Sequence, residues 1–84
     1  RMKINLQLTF DGGEVRDITA NAADMVAFED KFNVSVSALA ESPKMSYMFF
    51  LAYHSEKRTG QTKETFEKWL EKIEMVGASA TDPK

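Results

Sequence analysis

The sequence predicts an α+β domain, an N-terminal β-hairpin followed by three or four α-helices, and three observations carry that prediction. Met2, Ile4, Leu6, Leu8 and Phe10 alternate with polar residues, the period-two pattern of a strand with one buried face. Asp11-Gly12-Gly13 follows at once, a turn signal because glycine enters positive φ without steric cost. Beyond Asn21 the apolar spacing changes from two to three and four, the spacing of helices.

Each element has its own local reason. Glu14 to Ile18 reads as the returning strand, with Val15 and Ile18 at opposite parity, so a bulge or an early end is expected. Asn21 can cap a first helix over 22–32, with Asp24 near its N-terminus and Met25, Phe28 and Phe32 on one face. Asn33 can stop it, and Ser35 can cap a short second helix, Val36 to Ala40. Ser42 and Pro43 suit the start of a third helix from about Lys44 to Lys57, which Gly60 closes. Phe66, Trp69, Leu70, Ile73 and Val76 form one apolar stripe, predicting a fourth helix that Thr62 or Thr65 caps and Gly77 ends.

The 84 residues suffice for one domain, expected over 1–77, with a flexible C-terminal tail at 78–84. A hydrophobic share of 43% argues for a packed core. The formal charge is −2 and no stretch is strongly basic, so nucleic acid is not an expected partner. The longest apolar run, Tyr47 to Tyr53, falls far short of the ~20 residues that span a bilayer, and no membrane partner or signal peptide is expected. Cysteine is absent, which excludes disulfides, thiolate metal sites and cysteine nucleophiles.

Catalytic chemistry finds little material. His54 is the only histidine, with no second ligand at metal-binding spacing. The carboxylates read as solvated faces, and nothing resembles a nucleophile elbow or a phosphate-binding loop. No catalytic residue, metal or cofactor is therefore expected, and the chain reads as a binding protein.

The third helix is apolar nearly all round. Met45, Met48, Phe49 and Ala52 lie on one side, and Tyr47, Phe50, Leu51 and His54 on the other. Either the domain encloses this helix completely, or part of it stays open to dock a partner helix or a second copy. The docking reading centres on Tyr47, Phe50, Leu51 and His54, with Phe28 and Phe32 at its edge.

Three blocks stand in order along the chain: Asp24-Met25-Val26-Ala27-Phe28-Glu29-Asp30-Lys31-Phe32-Asn33-Val34-Ser35, then Phe49-Phe50-Leu51-Ala52-Tyr53-His54 with Lys57-Arg58-Thr59-Gly60, then Phe66-Glu67-Lys68-Trp69-Leu70 with Ile73-Glu74-Met75-Val76. Together they resemble the tail assembly chaperones of long-tailed bacteriophages. Two departures stand out: Asn33 where the family pattern has glycine, and Tyr53 where it has tryptophan. The resemblance implies a non-catalytic morphogenesis protein of the host cytoplasm, absent from the mature virion. It would keep the tape measure protein soluble, self-associate, and reach the tail tube protein through a longer form. The alternative within the same setting is a small tail or head–tail connector subunit retained in the virion.

Overall fold

A computed structural model describes residues 3–78. Strands β1 (Ile4–Phe10) and β2 (Val15–Ala20) lead into helices α1 (Ala22–Phe32), α2 (Ala38–Glu41), α3 (Met45–Arg58) and α4 (Phe66–Leu70), and strand β3 (Ile73–Ala78) follows. The sheet is antiparallel with order β2-β1-β3. The hairpin-then-helices order is as expected; the third strand is not.

The hairpin turns through Gly13 at φ 96°. No bulge interrupts β2, whose register runs unbroken from Ile4↔Ala20 to Thr9↔Val15. The parity conflict is resolved by Val15 facing solvent, at 54% exposure, while Ile18 and Ala20 turn inward.

Helix α1 begins in a reciprocal cap: the Asn21 side chain accepts from the Ala23 and Asp24 amides, and Asp24 accepts from the Asn21 amide. Asn33 ends it in the left-handed region at φ 57°. Helix α2 starts later than expected, after Ser37, because the Ser35 hydroxyl is taken up by the Ser37 amide in the preceding turn. Helix α3 starts at Met45 without a side-chain cap, since Lys44 is still extended and neither Ser42 nor Pro43 reaches the first turn. Gly60, at φ 84°, lies just beyond its end.

The largest correction concerns the last helix. Thr65 caps α4 through the Lys68 amide, as the sequence allows, but the helix ends at Leu70 and residues 73–78 form β3. β3 pairs with β1 at Leu8↔Val76 and Thr9↔Met75, then skips Glu74 to pair Phe10 with Ile73. That bulge turns both Ile73 and Val76 toward the core, a three-residue spacing that copies a helical stripe. Gly77 therefore sits within a strand. Ala78, placed by the sequence in the tail, pairs with Leu6, and 79–84 lie outside the described residues.

Helices cover one face of the sheet. Leu6, Leu8, Ile18, Ala20 and Val76 meet Phe28, Leu51, Ala52, Tyr53 and Trp69 in a single core. The opposite face carries Gln7, Val15, Asp17, Thr19 and Met75 and is open to solvent.

Candidate functional site

The side chains expected to form a docking face do come together, but inside the protein. Phe28, Tyr47, Phe50 and Leu51 are all buried, the least covered being Phe50 at 8% exposure. Phe28 and Phe32 of α1 meet the Tyr47 ring edge-on at 5.0 and 4.9 Å, and Phe32 meets Phe50 at 5.7 Å. From the other flank Phe66 of α4 reaches Phe50 at 5.9 Å and Tyr53 at 5.3 Å. This side of α3 is thus core, because α1 and α4 close over it, and the Lys31 ammonium lies over the Phe50 and Phe66 rings at the seam. Phe32 is half-buried, and His54 keeps about a third of its side chain exposed.

What remains open is the opposite side of the N-terminal half of α3. Met45 is 51% exposed, and Met48 and Phe49, three and four residues on, are half-buried. The stripe goes under at Ala52, which is fully enclosed. Two methionines beside a phenylalanine make an apolar surface that can adapt to different partners.

The C-terminal half of α3 carries a polar cluster that the sequence did not announce. Asp24 is completely buried. Its carboxylate accepts from Arg58 Nη2 at 2.9 Å and Nε at 3.1 Å, from the Asn21 amide at 2.9 Å, and from His54 Nδ1 at 2.6 Å. An ionised carboxylate only accepts, so Nδ1 carries the proton in that contact. Burial alone would raise the Asp24 pKa; the bonds from Arg58, then His54, then the Asn21 amide outweigh it and hold the carboxyl below its ordinary value. Arg58 also donates to the Thr19 carbonyl at 3.3 Å, tying β2 into the cluster.

A second clasp lies alongside. Arg16 Nη1 donates to both oxygens of Glu56, at 2.7 and 2.8 Å, and Glu56 is only 2% exposed. The Arg16 guanidinium also sits 4.7 Å over the Phe10 ring. The one sequence signal for either clasp is His54 and Arg58 four apart on a helix; their partner Asp24 lies thirty and thirty-four positions away.

A carboxylate on the Nδ1 side of an imidazole can orient a general base. Here both Asp24 oxygens are shared with Arg58, and the adjacent Ser55 hydroxyl donates to the Thr19 carbonyl at 3.2 Å. The arrangement acts as a clasp among α1, α3 and β2. Among the described residues no cluster of three or more His, Asp or Glu side chains is placed to hold a metal ion. Comparison with protein-family models, with curated proteins and with solved structures returns no match.

Proposed function

We propose that this chain is a non-catalytic bacteriophage tail assembly chaperone that holds the tape measure protein soluble before the tail is built. The three-block resemblance supports the class, and the open Met45–Met48–Phe49 stripe supports the mode of action. That stripe has the i, i+3, i+4 spacing that packs against the apolar face of an amphipathic helix. Burying two or three such side chains, at roughly 1.5–3 kcal/mol each, gives an affinity that is useful and reversible. A coating protein needs that reversibility, because it leaves when the tube closes around its client. No helix among the described residues is long and apolar enough to cross a membrane, and the proposed setting is the host cytoplasm. A longer form reaching the tail tube protein and self-association along the client belong to the same proposal.

Co-expression with a tape measure fragment tests it. The protein should raise the soluble share of the fragment several-fold, and Met45→Asp should abolish that gain while leaving the thermal melt unchanged. A fragment equally insoluble with and without the protein ends the proposal. Purified particles containing this chain in stoichiometric amount would assign it instead to the structural subunits of the tail.

A further inference from the structure

We propose that two copies of this chain pair through the free edges of their β2 strands, antiparallel and centred on Val15. The pairing rests on the self-association proposed above for its purpose, and on β2 alone for its geometry. β2 has a neighbour on one side only. The phase of its ladder is set at the turn, where the Phe10 amide donates to the Glu14 carbonyl at 2.8 Å. In an antiparallel pair the bonded residues alternate, so Arg16, Ile18 and Ala20 bond to β1 while Val15, Asp17 and Thr19 direct their backbone groups away from it. The Thr19 carbonyl is met from outside by Ser55 Oγ and Arg58 Nη2, so α3 already holds that end of the edge. The N–H and C=O of Val15 and Asp17 find no such partner among the described residues.

Charge fixes both the occupant and the register. Glu14, Arg16 and Asp17 with the nearby Lys3 sum to no net charge, so the edge does not select a partner of one sign, but it can complement itself. A two-fold pair centred on Glu14, Arg16 or Asp17 sets that residue directly against its own copy, and like charges directly opposite are destabilising. A centre on Ile18 or Thr19 calls on the Thr19 carbonyl, which α3 occupies. Val15 is the centre that remains. The other sheet edge is guarded: β3 is bulged at Glu74, which breaks the regular template.

In that register the free N–H and C=O of Val15 meet those of the partner's Val15, and the two exposed valines, each 54% open in the single copy, pack side by side. Glu14 then stands opposite the partner's Arg16 on both sides of the axis. Both groups can make the contact. The Glu14 side chain is 63% exposed and holds its own Arg16 only through Nη2 at 3.3 Å, and Arg16 Nε makes no bond among the described residues. What approaches the α3 end of the edge is the partner's Gly12-Gly13 turn, which has no side chains to clash. The overlap is short, so the pair is weak and reversible.

Amide NMR of the native chain at rising concentration tests this first. The Val15 and Asp17 amides should shift with a midpoint below about 1 mM. The chain has no cysteine, so a single introduced thiol can link only to its own copy. Val15→Cys should oxidise to a disulfide dimer at least about tenfold faster than Met75→Cys, an equally exposed position on the same face, because a bonded antiparallel pair holds its Cα atoms about 5.5 Å apart, within disulfide range. Glu14→Lys sets lysine against the partner's Arg16 and should weaken pairing at least about fivefold while the thermal melt of the dilute protein stays unchanged. No shift by about 2 mM, equal oxidation of the two cysteine variants, undiminished pairing of Glu14→Lys, or shifts confined to β3 or to Met45 would each overturn the proposal. None of these measurements contains a tape measure fragment, so the pairing and the chaperone activity stand or fall separately.

Discussion

Asp24 is the residue on which most depends, because its bonds come from three places far apart in the chain, Asn21, His54 and Arg58. Asp24→Asn leaves Arg58 without a charge partner and His54 without its acceptor. Breaking a buried pair costs about 3–5 kcal/mol, less here because Arg58 is partly solvated, so about 2–3 kcal/mol is expected by urea unfolding. The pH profile has a definite sign. The Asp24 carboxyl is held below its ordinary value of 3.8 when folded. The unfolded state therefore takes up its proton first, and the stabilisation is present above that ordinary value and lost as the pH falls through the folded one. Urea midpoints for the native protein should fall on acidification below about pH 4, and those of Asp24→Asn should fall less. Asn33 offers a change in the other direction. It occupies the left-handed region at φ 57°, where glycine carries no steric penalty, so Asn33→Gly should raise the melting temperature through a gain of up to about 1 kcal/mol.

At the scale of elements, α3 divides into an enclosed side and an open one, and paired substitutions separate them. Phe50→Asp buries a carboxylate among Phe32, Tyr53 and Phe66 and should unfold the domain, read as loss of the cooperative melt. Met45→Asp should shift stability by no more than about 0.5 kcal/mol. The sequence displayed two apolar sides and could not say which the other helices would cover, since that depends on Phe28, Phe32 and Phe66 arriving from elements remote in the chain. Local signals read well: the Asn21 cap, the Asn33 stop, the Thr65 cap and the turn at Gly13 all depend on neighbours within a few residues. β3 was misread because a bulged strand and a helix can present the same three-residue apolar spacing. Deleting Glu74 tests that explanation. It removes the extra residue, leaves Ile73 two positions from Val76 and so on the core face of a regular strand, and should change stability by no more than about 1 kcal/mol by thermal melting. A helix through 66–76 would instead carry Val76 off its apolar stripe and lose about 1.5–3 kcal/mol.

For the molecule as a whole, the hairpin and the helices could be placed in order from composition and periodicity, whereas the sheet order and both clasps could not. They join residues separated by thirty to seventy-two positions, for which one chain carries no pattern. Among the described residues the central strand of the sheet is the first in sequence, and one of its two partners is the last. During synthesis, then, β1 emerges with one of its flanks bare and must wait for residues 73–78 before Leu8 meets Val76. Until that moment Trp69 and the inner side of α3 have only a partial roof, and the nascent chain is itself an adhesive object. The seam between β1 and β3 is thus the last join of the described sheet to close, and the stretch of synthesis before residues 73–78 emerge is when its apolar face is most open to wrong partners.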